Sequence, residues 1–360
     1  MKNLFLIFLL SVLYTVSLQA QARKYSNEFL SIGVGARALG MGNATVASVS
    51  DVTAGYWNPA GLKGVQSNFQ VGAMHAAYFA GIANFDYGAI AIPMKDRKRA
   101  LAFSFIRFGV DDIPNTLQLI EPDGSVNYGN ISSFSVADYA FLFSYAQPVA
   151  IENLHVGANI KIIHRTAGSF ARAWGFGLDL GAQYVKDNWR FGVMARDITT
   201  TFNAWSFNFS DADKTVFAQT NNVIPENSYE LTLPRLILGA AYTHNFTEKI
   251  GLSGELNLDL TTDGKRNVLI SAKPVSIDPH AGIEIHYSDF LFLRAGVGYL
   301  QKKFSDALGR EQFTAQPNLG VGIVIKNLGI DYAYTNIGDP SQALYSHVIS
   351  LRINFEKRKI

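Results

Sequence analysis

Apolar and polar side chains alternate at every second residue over stretches of about 9 to 12, and this limits what the chain can fold into more than any other feature. Trp174, Phe176, Leu178, Leu180, Ala182 and Tyr184 share one parity, and Gly175, Gly177, Asp179, Gly181 and Gln183 share the other. A helix would mix these two sets on every face. The same split sets Tyr139, Phe141, Phe143 and Tyr145 against Asp138, Ala140, Leu142 and Ser144. It recurs from Ile250 to Leu260 against Gly251, Ser253, Glu255, Asn257 and Asp259, and again in Ile349, Leu351, Ile353 and Phe355. Such lengths match a tilted strand crossing a bilayer and exceed the 5 to 6 residues usual in a soluble sandwich.

Beyond the first residues no run of 18 apolar residues occurs, so helical membrane spans are not expected and a barrel is the membrane option left. About 14 strands are expected, near 67–76, 82–93, 99–108, 134–147, 154–164, 174–184, 189–196, 230–244, 249–261, 279–287, 290–301, 314–325, 327–335 and 346–355. Loop length supports the same reading. Tight turns at 95–98, 148–153, 186–188, 245–248, 288–289 and 326–327 alternate with longer connections at 109–133, 165–173, 197–229, 262–278, 302–313 and 336–345; the first connection, 77–81, is short for the long-loop side and is the exception. A sandwich has no reason to sort its loops by parity. The expected fold class is an all-β transmembrane antiparallel barrel of about 14 strands, with both ends of the barrel on the short-turn, periplasmic side.

Lys2 followed by the apolar Leu4 to Val16 and the small Ala20 and Ala22 reads as a secretory signal over residues 1–22. A segment of residues 23–66 and the barrel of residues 67–360 complete the expected organisation. The 360 residues carry 31 Lys and Arg against 29 Asp and Glu, a net charge of +2, which gives no electrostatic reason to expect nucleic acid as a partner. The chain has no cysteine, which excludes thiolate metal sites and Cys nucleophiles and suits passage through an oxidising compartment.

Enzyme chemistry finds no foothold. The seven histidines include no HExxH pair, no GxSxG elbow occurs, and Asp211 with Asp213 lacks the ligand set of a calcium loop. No catalytic residue, metal ligand or cofactor is expected. Gly33, Gly35, Gly40 and Gly42 fit neither nucleotide-loop spacing. Lumen-facing parity collects Asp138, Asp179, Glu255, Asp259, Glu284 and Asp331 with Lys161, Arg190, Arg196 and Arg352, a mixed set that reads as internal pairing rather than a one-sign selectivity ring.

Residues 25–62 are rich in small side chains and hold only Glu28, Arg37 and Asp51 as charges, a composition able to pack inside a barrel mouth. Within it run Gly35-Ala36-Arg37-Ala38-Leu39-Gly40-Met41-Gly42, then Asp51, then Tyr56-Trp57-Asn58-Pro59-Ala60-Gly61-Leu62. This pattern resembles the PorV/PorQ family of Bacteroidetes outer-membrane proteins, itself similar to FadL-type transporters that share an Asn-Pro-Ala element. The resemblance implies an outer-membrane barrel of 14 strands whose N-terminal plug carries Gly35, Arg37, Gly40, Gly42, Asp51, Asn58 and Pro59. For function it implies two readings. One is an accessory of the type IX secretion system that engages the translocon and the C-terminal signal domains of secreted proteins. The alternative is a transporter that passes hydrophobic molecules through a kinked wall or past a displaced plug. Besides membrane lipid, the expected partners are therefore a secretion machinery or a hydrophobic ligand.

The connection 197–229 is far longer than most and holds Trp205, Phe207 and Phe209 at period 2. A short exposed hairpin would set these three on one face as a partner-binding surface; folded back, they would lie over the barrel mouth.

Overall fold

The computed structural model describes residues 26–121, 123–305, 309–335 and 346–356; the expected signal over 1–22 and the connection 336–345 lie outside them. Sixteen strand segments are described: β1 Phe69–Tyr78, β2 Ala83–Pro93, β3 Ala100–Asn115, β4 Ser132–Pro148, β5 Leu154–Ala167, β6 Ala171–Lys186, β7 Trp189–Arg196 and β8 Thr201–Phe207, then β9 Ser228–Thr232, β10 Arg235–Asn245, β11 Ile250–Thr261, β12 Ser276–Tyr287, β13 Leu291–Ser305, β14 Arg310–Ile325, β15 Leu328–Thr335 and β16 Ser346–Phe355.

All pairings are antiparallel, and β1 pairs with β16 from Phe69↔Phe355 to Ala77↔His347, which closes the sheet on itself. The barrel has 14 staves rather than 16 because two of them are broken. β7 and β8 both pair with β6, through Leu180↔Ala195 and Phe176↔Phe202, so they are two pieces of one stave interrupted at 197–200. Its neighbour is likewise split into β9 and β10 at Leu233-Pro234. Pro234 has no N–H to give a ladder, and Asp197 and Thr200 sit at φ 56° and 59°, so neither stave runs straight through.

Parity decides the two faces. On β6 the even residues point out, with Trp174 54% and Leu180 49% exposed, and the odd residues Gly175, Gly177, Asp179, Gly181 and Gln183 are buried in the lumen. The outward apolar band ends in aromatic residues on both sides, His164 stacked on Trp174 at 4.1 Å near the long-loop end and Trp189 against Tyr242 at 4.8 Å near the short-turn end. A closed wall with this belt spans the outer membrane.

Several strands run further than the sequence reading placed them. β3 reaches Asn115, β4 starts at Ser132, and β5 and β6 meet in a tight turn at Gly168 where a longer connection was expected. The stretch 197–229, expected as a loop, contributes β8, the helix Asp211–Gln219 and β9. Beyond the bilayer the hydrogen-bond ladder continues without an apolar face, so the alternation that marks the wall fades before the strands end.

Candidate functional site

Residues 26–66 lie within the lumen as short turns, the helices Ala36–Gly40 and Ala54–Trp57, and the 3-10 stretch Pro59–Gly64. Close approach is possible because the wall offers glycine at lumen-facing positions. A β-carbon on Gly181 would lie 2.1 Å from Asn58 Oδ1, one on Gly157 would lie 2.5 Å from the Pro59 carbonyl carbon, and one on Gly296 would lie 2.1 Å from the Met41 carbonyl carbon. Asn58 is fully buried; its Nδ2 donates to the carbonyls of Val46 and Ala182 at 3.0 Å, while its Oδ1 accepts from Ala60 N at 3.2 Å. One amide thus ties the turn at Pro59 to the segment and to β6.

The segment's two inner charges meet charges of the wall. Arg37 Nε and Nη2 donate to Glu284 at 3.0 and 3.2 Å, and Glu284 also accepts from Arg294 Nε at 2.6 Å. Arg352 Nη1 donates to Asp51 at 2.9 Å. Burial alone would push Asp51 up, but Arg352, the Thr53 hydroxyl and Arg37 outweigh it and hold the carboxyl below its usual range. Burial opposes the charge of Arg37 too, and Glu284 more than restores it. Gly35 and Gly42 take φ 87° and 64°, which glycine adopts freely, and Gly40 packs on Gly320, where an added β-carbon would be 3.0 Å from the facing α-carbon. The seven segment residues singled out in the sequence therefore share one packed body. The wall glycines that receive them were missed, although their lumen-facing parity is a usable signal.

Trp205, Phe207 and Phe209 are half-buried and stack in a row, with ring centroids 6.1 and 6.2 Å apart. They do not form a free-standing hairpin. Trp205 and Phe207 lie on β8 with the parity of Thr201 and Asn203, the lumen side, and Arg165 sits 5.1 Å over the Trp205 ring. Phe170 and Phe217 close on Phe209 at 6.0 and 5.1 Å, and Phe134 meets Phe170 at 5.3 Å. Six aromatic rings thus line the inside of the outer mouth above the broken staves.

Below them a buried charge cluster braces the break. Lys161 Nζ donates to Asp179 at 3.0 Å and to Asp197 at 2.5 Å, Asp197 N donates to Asp179 at 2.9 Å, and Thr201 Oγ1 donates to Asp197. Arg196 ends β7 by donating to the carbonyls of Leu30 and Tyr56 at 3.2 Å and lying 4.5 Å over the Tyr56 ring. The outer edge of β9 pairs with no strand among the described residues. Beside that edge is a gap of about 40 Å³ bounded by Leu30, Thr232, Leu233, Pro234, Thr261 and Arg266. It adjoins a cavity of about 330 Å³ through the shared Glu28, Ser31, Arg196, Arg235, Thr261 and Arg266. An empty space near 150 Å³ holds a benzene, so the smaller space, which also borders Tyr56, Lys161 and Asp179 inside the lumen, is too tight for such a molecule and the cavity is not.

Solved structures with a similar arrangement of strands include transporters and channels. The toluene transporter TbuX of Ralstonia pickettii is 14% identical, with 90% of this chain and 99% of that chain covered at a TM-score of 0.55. The toluene transporter TodX of Pseudomonas putida is 15% identical over the same shares, also at 0.55. A FadL homologue of Pseudomonas aeruginosa is 12% identical, covering 90% and 98%, at 0.52. The chain has the FadL-type barrel fold. No family model matches the sequence, and no curated protein matches it. These neighbours are transporters or channels rather than enzymes, and identities this low establish the fold alone.

Proposed function

We propose that this barrel admits small hydrophobic molecules across the outer membrane, taking them up along the aromatic row at its mouth and releasing them sideways where the wall is broken. The paired interruption of two adjacent staves carries the reading. A barrel serving only as a scaffold has no use for staves broken at 197–200 and 233–234, with an unpaired β9 edge opposite a lumen cavity. In the state described the exit is shut, so release requires residues 26–31 or Leu233 to move. Residues 26–66 then act as a plug, with Gly35, Arg37, Gly40, Gly42, Asp51, Asn58 and Pro59 as its packing core. The fold shared with toluene transporters supports the same conclusion.

The secretion reading rests on the string from Gly35 to Gly42 and on Tyr56 to Leu62, the residues that carry the PorV/PorQ resemblance. Most of these residues are buried against the wall, so packing accounts for them without a partner. The aromatic row separates the two readings. Trp205→Ala with Phe207→Ala is expected to slow toluene entry severalfold in cells that depend on this barrel, with heat-resistant migration of the folded protein retained. Unchanged entry together with lost capture of secreted C-terminal domains would refute transport and favour secretion.

A further inference from the structure

The hairpin between β3 and β4 carries an exposed apolar face outside the membrane. Arg107, paired with Asp111 at 3.1 Å, marks where the outward apolar side of β3 ends, yet β3 runs on to Asn115. About eight residues at ~3.3 Å each put the tip roughly 25 Å further along the strand, beyond the reach of lipid hydrocarbon. There the chain folds back tightly. Ile120 bridges Val126, Asn127 N donates to the Leu119 carbonyl at 2.9 Å, and the side-chain amides of Asn127 and Asn130 donate to Glu121 Oε1 at 2.9 and 3.0 Å. Directly paired residues point to one side, and Asn127 is extended, so Tyr128 follows Val126 to that side. Ile120, Val126 and Tyr128 form the face, 68%, 53% and 74% exposed. Contiguous apolar surface held in water and rimmed by polar residues marks an interaction site.

Charge decides what fits it. From residue 108 to 131 the chain carries Asp111, Asp112, Glu121 and Asp123 and no Lys or Arg. Gln118 Nε2 donates to Asp213 at 3.5 Å, which adds the helix Asp211–Gln219 and the stretch after it, with Asp211, Asp213 and Glu226 against Lys214 alone. Arg107 answers Asp111 and Lys214 answers Asp211, while the neutral amides on Glu121 spread its charge without cancelling it. An anionic lipid surface is repelled by such a rim, and a hydrocarbon makes no use of it.

We propose that this hairpin docks a lysine- or arginine-rich amphipathic segment of another protein, the segment's apolar side chains on Ile120, Val126 and Tyr128 and its cations toward Asp112, Glu121 and Asp123. The proposal stands apart from the transport reading, since none of these residues belongs to the aromatic row or lines the cavity.

The test uses the full-length protein in phosphatidylcholine nanodiscs, with empty nanodiscs as the blank, and three peptides of one length: leucine with lysine in an amphipathic pattern, the same with glutamate for lysine, and the same with serine for leucine. The leucine–lysine peptide is expected to bind roughly tenfold tighter than either control. Ile120→Ser with Tyr128→Ser should weaken it roughly tenfold, and Asp112→Asn with Asp123→Asn should weaken it severalfold and flatten its salt dependence. All four side chains are exposed, so heat-resistant migration is expected to persist; should one double variant fail to fold, the other and the peptide selectivity decide. Equal binding of the glutamate peptide, binding no tighter than to empty nanodiscs, or an unchanged affinity in both folded variants would overturn the proposal. So would variants that lose adhesion to phosphatidylglycerol vesicles while peptide capture stays intact, which would make the face a lipid contact.

Discussion

Placing a single methyl group at Gly296 tests whether the lumen segment and the wall are one packed body. Gly296 is on β13, and its β-carbon would lie 2.1 Å from the Met41 carbonyl carbon, 2.2 Å from Gly42 N and 2.6 Å from Met41 O. All three atoms are backbone, so no side chain can swing aside. Reaching an ordinary contact near 3.4 Å requires Met41-Gly42 to retreat by more than 1 Å. That retreat strains the bond from His280 to the Gly42 carbonyl, now 2.9 Å, and Gly282, whose own β-carbon would be 2.4 Å from Met41 O, blocks the neighbouring space. Overpacking of this kind costs roughly 1–3 kcal/mol, and backbone on the receiving side favours the upper end. Gly296→Ala is expected to loosen residues 26–66 while the outer belt still assembles. Proteolysis within the segment should quicken tenfold or more, and conductance in planar bilayers should rise. Gly88→Ala is the matched control, since nothing lies within 4 Å of its β-carbon. Equal protease resistance and conductance in both variants would refute the account of wall glycines as slots.

Two further outcomes follow from the ion pairs. Glu284→Gln leaves Arg37 and Arg294 sharing a neutral acceptor in a buried site, and the loss in urea unfolding from detergent is expected at about 3 kcal/mol, as for other broken buried pairs. Asp51 is held below its usual range, so its contribution is complete above its unfolded value of about 3.9 and is lost as pH falls through and beneath it. Hydrogen exchange at residues 36–57 should therefore accelerate below about pH 4, and Asp51→Asn should flatten that part of the profile.

The staves were legible because a bilayer imposes period 2 on every one of them, and Trp174 to Tyr184 or Ile250 to Leu260 show it without interruption. The break at 197–200 was not, since a kinked stave and a loop read alike once alternation lapses: Thr201 to Phe207 looked like loop because its outward residues include Ala204 and Ser206. That Arg37 and Asp51 would need inward partners was readable from the cost of burying them unpaired. Which partners they take was not, as Glu284 and Arg352 lie 247 and 301 residues away.

Gln70 on β1 accepts from Val52 N and donates to Asn354 of β16, both at 2.6 Å, so one side chain spans the segment and the seam. The last strand adds Ser350, which accepts from Ala36 N at 2.7 Å, and Arg352, which holds Asp51. Ser350, Arg352 and Asn354 on the inner face of β16 thus each meet a group from the N-terminal part of the chain. This gives assembly an order. The final strand arrives at a seam whose polar groups are complete only once the segment is already inside, and a barrel closing early would shut Arg352 away from its carboxylate. Completion of the cylinder then doubles as an inspection of its contents, a check that strand pairing alone could not perform.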